Sequence, residues 1–251
     1  SDTTAVALAA ALFDEVVVLQ DFVDAAHEYE RTAYDYDAHD KSAAAGYAAV
    51  YAYRQELTVA TGARQRDVKD ATIESSLRFA DTFQEHEEAP VVLGAAADDL
   101  YEIKDFARAI ESGHKLVERY PTGDKALRRS AWAVIAHSSI DIAEYPDAEV
   151  AYTNVLQLTD ADDETRPAIV DGLAAAIYKQ GEQANLLEDY RAAAGHFLRI
   201  KTLAPTSTIR RRRWFPTSST HCTPSADRAR RSTRSSITTP RSTRSCGGPR
   251  R

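Results

Sequence analysis

The sequence has little from which a membrane anchor or a disulfide framework could be built. Only two cysteines occur in 251 residues, Cys222 and Cys246, so residues 1 to 208 have no disulfide and no cysteine-ligated zinc site. No run of about 18 apolar residues occurs, because the most apolar stretch, Ala5 to Leu19, contains Asp14 and Glu15; this excludes a transmembrane helix in the sequence. Methionine is absent even at position 1. We therefore expect a trimmed or partial product whose start does not reveal a targeting segment.

Catalytic and metal-binding patterns are also missing. The seven histidines are scattered, and no HExxH, GxSxG, GxGxxG or GxxxxGK[ST] pattern occurs. His86, flanked by Glu85, Glu87 and Glu88, is the densest polar cluster, and we interpret it as a solvated loop between repeats rather than a surface metal site. We expect no enzymatic activity, no cofactor and no metal.

A second acidic run comprises Asp160, Asp162, Asp163 and Glu164. It lacks the Asp-x-Asp-x-Asp-Gly spacing and the distal Glu of a calcium loop. Acids favour the positive end of a helix, and the nearby Pro167 is tolerated in a first turn. We predict that this run caps the helix that follows it.

Charge divides the chain into two regions. Positions 209 to 251 contain 12 Arg, no Lys and one acid, which gives +11 and leaves −18 on residues 1 to 208 out of the total of −7. The acidic body has no clustered cations with which to bind DNA or an anionic membrane. Of the 43 residues in the tail, 31 are Arg, Ser, Thr or Pro, a composition that cannot bury a core and predicts disorder.

Three interpretations of this tail stay open. As a functional arm it would bind nucleic acid through phosphates, with Trp214 and Phe215 stacking on bases and phosphorylation as a switch. As a neutral element it is a solvated extension. The interpretation we favour is translation in the wrong reading frame, because the composition inverts within a few residues of Pro205, where the repeat described below requires another Ala-rich helix.

Residues 1 to 208 have almost no strand signal. Ala, Glu, Leu and Tyr recur at i, i+3 and i+4, which predicts an all-helical body. Helix breakers punctuate it at intervals of roughly 37 to 47 residues, near positions 36–40, 84–86, 120–123, 159–163 and 204–206. Such a period indicates a repeat of helix pairs.

Four segments align on an aromatic residue followed three positions later by Ala: Phe22 and Ala25, Phe106 and Ala109, Tyr145 and Ala148, Tyr190 and Ala193. A small or aromatic residue follows four positions after each Ala: Tyr29, Gly113, Tyr152 and Phe197. The pattern resembles the tetratricopeptide repeat, in which the aromatic closes the turn between two helices and the Ala lets them approach closely. Trp132 stands where the family's first helix carries its Trp, and only Gly181 supplies the glycine of that helix.

The resemblance covers most of Ala5 to Pro205, with units near 9–37, 93–121, 132–159 and 177–205 and a less regular pair from Lys41 to Phe83. It implies an all-α array of antiparallel helical hairpins, a right-handed solenoid whose concave surface is lined by the first helices. The units look most like the degenerate repeats of bacterial envelope proteins. This likeness implies a periplasmic or outer-membrane-associated location, with a cytoplasmic location as the alternative.

By the same resemblance, partner-binding residues should lie on the first helices. The candidates are Tyr47, Tyr51, Arg54, Asp98, Glu102, Arg129 and His137. The first three share a helical face by their i, i+4, i+7 spacing, and aromatic and Arg residues are over-represented among binding hot spots. The alternative is that the aromatic stripe packs against a neighbouring helix, which is the commoner role of such a stripe.

These observations predict a non-catalytic scaffold that binds a peptide or protein partner, as part of a longer cell-envelope protein. The alternative is a nucleic-acid-binding protein that acts through the Arg-rich tail. If the tail is out of frame, the last helix pair lacks a neighbour, and we expect self-association through an apolar face around Phe197, Leu198 and Ile200.

The reading-frame interpretation makes a direct prediction. The coding DNA across codons 200 to 251 should contain, in another frame, a continuation rich in Ala and Leu with helical spacing. Sequencing that DNA and reading all three frames is the measurement. An open frame only for the Arg-rich version would contradict the interpretation and make the basic arm genuine.

Overall fold

The computed structural model describes residues 22–207, and this part of the chain is helical throughout except for its turns and loops. Its helices are α1 (Phe22–Tyr34), α2 (Ser42–Val59), α3 (Gly62–Thr82), α4 (Ala89–Glu102), α5 (Phe106–Arg119), α6 (Lys125–Asp141), α7 (Tyr145–Gln157), α8 (Arg166–Leu186) and α9 (Tyr190–Leu203). After α1, consecutive helices pair into four antiparallel hairpins. The prediction of an all-α array of helical hairpins is confirmed, while the tail from 209 lies outside the described residues.

The extensive contacts join helices that are adjacent in sequence, and α4 also packs against α6. The loops between hairpins coincide with the predicted breakers. Three of the four first helices, however, start earlier than the unit predicted from the alignment, at Ala89, Lys125 and Arg166 instead of 93, 132 and 177. The aligned residues all lie at the loop within a hairpin or on its second helix. They therefore do not indicate where the first helix begins.

The turns within three hairpins have the same geometry. Their middle residues take a left-handed backbone, with φ of 67° at Lys104, 65° at Ala143 and 60° at Glu188. The next N–H in each turn donates to the carbonyl five residues earlier: Asp105 to Leu100 at 2.9 Å, Glu144 to Ser139 at 2.8 Å, and Asp189 to Ala184 at 2.9 Å. This bonding closes the first helix in a Schellman motif. The aromatic residue of the sequence pattern comes immediately afterwards and begins the second helix.

The alanines of the sequence pattern are the contact points between helices. Ala25, Ala109, Ala148 and Ala193 are all buried, with at most 4% of their surface exposed. A methyl side chain at these positions lets two helix backbones approach closely. Gly181 serves the same purpose on α8, because a Cβ there would lie 2.5 Å from Cε1 of Phe197.

Ion pairs between successive hairpins repeat along the chain. Glu74 pairs with Arg108 at 2.5 Å, Asp81 with Lys115 at 3.4 Å, and Asp163 with Arg129 at 2.7 Å. The two partners of each pair are 34 residues apart, which is the length of a tetratricopeptide unit. Each pair therefore connects equivalent sequence positions of two neighbouring units.

The acidic run before α8 acts at the start of that helix and also contacts α6. Thr165 precedes α8 without a side-chain cap, whereas the Asp163 carboxylate accepts hydrogen bonds from the Thr165 N–H at 2.8 Å and from its hydroxyl at 2.6 Å. Asp160 pairs with Lys125 at 2.6 Å. Asp163 therefore acts at the start of α8, as predicted, and Asp160 and Asp163 also join their loop to α6. Pro167 does lie in the first turn of α8, as predicted.

The end of the described region differs from expectation at one residue. Ile200 faces the core and is 1% exposed, so it cannot belong to an uncovered face. Phe197 is half-buried against Tyr178, with ring centroids 5.2 Å apart, whereas Leu198 is exposed. Within residues 22–207, no helix is both long enough and apolar enough to span a bilayer.

The left-handed turn residues lead to a stability prediction. Ala143→Gly should raise the free energy of unfolding by about 0.5–1 kcal/mol, because glycine adopts a positive φ without the steric cost of a Cβ. Urea denaturation of the full chain, followed by far-ultraviolet circular dichroism, measures it. The control is Ala194→Gly on the exposed side of α9, which should lower the free energy by about 0.5–1 kcal/mol. Equal destabilisation by both changes would contradict the prediction.

Candidate partner-binding surface

The first helices of the four hairpins, α2, α4, α6 and α8, lie side by side. Contacts between them include the Arg54–Asp99 ion pair from α2 to α4 and the rings of Tyr101 and His137 from α4 to α6. We call the exposed side of these four helices the first-helix surface. All of the predicted binding residues lie on α2, α4 or α6; the exposed ones are Tyr51, Asp98, Glu102 and His137, and the half-buried ones are Tyr47, Arg54 and Arg129.

The two predicted tyrosines on α2 differ in their surroundings: Tyr47 is packed and Tyr51 is exposed. The Tyr47 ring lies 5.9 Å from those of both Phe79 and His86, so it packs against α3 of its own hairpin and against the loop that follows. Tyr51, one turn later, is exposed. The packing alternative therefore applies to Tyr47, and only Tyr51 remains available to a partner.

An ion-pair network occupies two of the predicted charged residues. Asp99 is buried, and its carboxylate accepts from Arg54 at 3.0 Å and from Lys69 of α3 at 2.5 Å. Lys69 also donates to Glu102 at 2.7 Å. Burial acts to lower the pKa of Lys69, but its hydrogen bonds to the two carboxylates outweigh burial and raise it. The network ties α2, α3 and α4 together, and Arg54 is a structural residue within it.

Arg129 has a comparable structural role on α6. Its guanidinium donates to Asp163 in the loop before α8 at 2.7 Å. Hydrogen bonds from Thr165 lower the pKa of Asp163, and Arg129 lowers it further. The pair fixes the loop against α6 at the edge of the cavity described next.

A cavity of about 300 Å³ lies between α6, α7 and α8, and we call it the α6–α8 cavity. Its lining includes Ala133 and His137 of α6, Tyr152 and Val155 of α7, and Ile169 of α8. Tyr152 is 8% exposed, and its hydroxyl makes no hydrogen bond with any described residue. The hydroxyl is open to the cavity, so it can donate a hydrogen bond to a ligand there.

Tyr101, His137 and Tyr152 form an aromatic row that leads to this cavity. The His137 ring lies 6.1 Å from that of Tyr101 and 5.8 Å from that of Tyr152. The sequence analysis identified His137 alone. Tyr101 could have been found from its position between Asp98 and Glu102 on the same helix, whereas Tyr152 had been interpreted only as a packing position of the repeat.

Negative charge surrounds the aromatic row. Burial raises the pKa of Tyr152 to about 12, with Tyr101 and Asp141 contributing, and burial raises that of Tyr101, which hydrogen-bonds to Asp141. The neighbouring rings of Tyr101 and Tyr152 keep water from the imidazole of His137, although part of the residue is exposed, and this desolvation lowers its pKa; Asp141 partly offsets the effect. At neutral pH the three rings are therefore uncharged, and Asp141 supplies the charge beside them.

Asp98 on α4 has acidic neighbours of its own. Limited hydration raises its pKa, and the nearby charges of Asp99 and Glu102 raise it further, against the opposing effect of Arg54. Neither Asp98 nor Asp141 forms an ion pair with another residue in the range 22–207.

Neither a second cavity nor the His86 cluster forms a comparable site. The cavity, of about 510 Å³ between α2, α3 and α4, carries charges of both signs, among them Arg66, Lys69 and Glu102. The Nδ1 of His86 accepts the N–H of Glu88 at 3.2 Å, and its ring packs on Tyr47. No group of three His, Cys, Asp or Glu in the described part of the chain is placed to hold a metal ion.

Solved structures of 24 chains are similar to this one, among them RapI and BtubC. No family model matches the chain, and no curated protein matches it. The apo form of RapI is similar over 77% of this chain and 52% of its own, with 15% identity and a TM-score of 0.44. BtubC from P. vanneervenii is similar over 93% of this chain and 87% of its own, with 14% identity and a TM-score of 0.38. The chain spans about half the length of RapI, and the fold assignment rests on the helices and turns described above.

The lowered pKa of His137 predicts how stability depends on pH. Below the ordinary value of 6.5, the unfolded chain binds a proton at this residue before the folded chain does, so the free energy of unfolding should fall as the pH falls. Between about pH 7.5 and about pH 5.5 the parent should lose more stability than His137→Gln, measured by urea denaturation. An equal or larger loss in the variant would contradict the prediction, and the histidine pKa can be read independently by NMR titration.

Proposed function

We propose that this protein is a non-catalytic scaffold that binds an extended peptide or protein segment on its first-helix surface. The observation that carries the proposal is the α6–α8 cavity, which opens between adjacent units and contains the unpartnered hydroxyl of Tyr152. Small preformed cavities with a few polar groups are typical of binding sites. The mechanism is reversible docking without turnover.

The arrangement of the helices supports docking on this side. The aromatic row and the carboxylates of Asp98 and Asp141 are carried by packed helices, so binding orders few side chains and loses little conformational entropy. The second helices present a different surface, where Glu74 and Asp81 are already paired with cations of α5. Groups available to a partner are therefore concentrated on the first helices.

We also propose a periplasmic or outer-membrane-associated location, within a longer cell-envelope protein. The proposal is supported by the absence of Cys and Met from residues 1 to 208, which suits an oxidising compartment, and by the likeness of the repeats to those of envelope proteins. Release of the protein by osmotic shock of source cells, detected with an antibody, tests the location.

Blocking the α6–α8 cavity should abolish partner binding. Ala133→Trp places an indole ring in the cavity, and we expect immobilised variant protein to lose proteins from an envelope extract that the parent retains. Ala194→Trp, on the exposed side of α9, is the matched control and should retain them. Circular dichroism verifies that both variants fold. The scaffold function would be contradicted if the parent and both variants retained the same proteins. It would also be contradicted if none of the three retained any protein.

A further inference from the structure

The α6–α8 cavity has the dimensions and lining of a side-chain subsite. Its volume of about 300 Å³ is at the lower end of the range for ligand pockets, which suits one side chain rather than a cofactor. Ala133, Val155 and Ile169 give it apolar walls, and its polar part is formed by Arg129, Ser130, His137, Tyr152 and Thr165. An apolar side chain is the group that gains most from entering such walls.

The hydroxyl of Tyr152 adds a requirement beyond an apolar side chain. It lines the cavity without a hydrogen-bond partner among residues 22–207, and the residue is more than nine-tenths buried. The hydroxyl itself is open to the cavity, so it can donate a hydrogen bond to an acceptor brought in by a ligand. The carbonyl oxygens along the main chain of an extended peptide are acceptors of this kind beside every side chain.

The surface next to the cavity is complementary to positive charge. Asp141 lies beside Tyr101, and Asp98 lies one turn earlier on α4, with no cation of the described chain paired to either carboxylate. Lysine and arginine are attracted both to carboxylates and to the faces of aromatic rings. The cation that suits this position must come from the partner.

The distance between neighbouring first helices sets the spacing between the α6–α8 cavity and the carboxylates of Asp98 and Asp141. Packed helices lie about 8–10 Å apart, and an extended chain advances about 3.3 Å per residue. A peptide that crosses α6 from the cavity toward α4 therefore spans about three residues.

We propose that the partner of the first-helix surface is an extended peptide with an apolar side chain in the α6–α8 cavity and, about three residues away, a Lys or Arg between Asp98 and Asp141. This inference rests on the proposed scaffold function and assigns the partner its chemistry.

Synthetic peptides and the full chain provide the test. The probe is fluorescein-labelled Gly-Ser-Leu-Ser-Ser-Arg-Ser-Gly, together with the peptide in which Leu and Arg are exchanged, because the surface fixes the spacing but not the direction. Binding is followed by fluorescence polarisation at physiological ionic strength. Three control peptides carry Ser in place of Leu, Glu in place of Arg, or Arg directly beside Leu. The better of the two probes should bind about ten-fold tighter than each control peptide.

Protein variants separate the two contacts. Asp141→Asn should weaken the Arg peptide about five-fold and leave the affinity of an Arg-to-Ser peptide unchanged. Tyr152→Phe should weaken both peptides by a similar factor of about three, because it removes the hydroxyl that bonds to the main chain. Asp147→Asn, the same change on the exposed side of α7, is the control and should alter neither affinity.

The outcomes distinguish this inference from the function on which it rests. Peptide binding with no preference for Arg over Glu, or a preference that survives Asp141→Asn, overturns the proposed partner chemistry and leaves the scaffold function standing. Failure of every peptide to bind also overturns the partner chemistry. The scaffold function falls only if, in addition, Ala133→Trp leaves the capture of envelope proteins unchanged.

Discussion

Alanine side chains at the contact between consecutive helices determine the geometry of the whole array. Ala109, Ala148 and Ala193 are buried where the second helix of each hairpin crosses the first. A larger side chain at these positions would move the helices apart by the difference in side-chain size. The positions of α4, α6 and α8 relative to one another follow from these contacts, and so does the cavity that opens between α6 and α8.

The local rules of the fold were readable from the sequence. The turn chemistry, the aligned alanines and the breakers act within one hairpin, so the sequence order reveals them directly. The acidic run before α8 was predicted only to cap that helix, but Asp160 and Asp163 also pair with Lys125 and Arg129 of the preceding unit. Pairs of opposite charge 34 residues apart, such as Glu74 and Arg108, were a signal that could have revealed such contacts between units.

The candidate site was less predictable because it too depends on contacts between different units. His137 was identified from its place on a first helix, whereas the α6–α8 cavity depends on three helices and on a hydroxyl that packing leaves unpaired. Arg54 was expected to contact a partner, but its guanidinium is held by Asp99, which is brought near by the stacking of α2 on α4. A helical pattern shows which face a residue occupies and does not show which residue of another unit lies opposite.

The ion pairs and the apolar core contribute differently to the stability of the fold. Exposed ion pairs contribute about 0–1 kcal/mol each, so the pairs on the second helices stabilise the array little and mainly fix the register of one unit on the next. Burial of apolar residues such as Phe79, Leu93 and Ile177 supplies the larger share of stability. The unpaired carboxylates beside the aromatic row are therefore compatible with a stable fold.

The near absence of contacts between helices distant in sequence determines how the chain gains and loses its structure. Only short loops have to close for each helix to meet its neighbour, so contact order is low and folding is expected to be fast for a chain of this size. The same connectivity makes stability a sum over neighbouring units. Within residues 22–207, local opening then starts at α1 and α9, each of which packs extensively against one helix only, and the central helices α4 to α6, which have partners on both sides, exchange their amide hydrogens last.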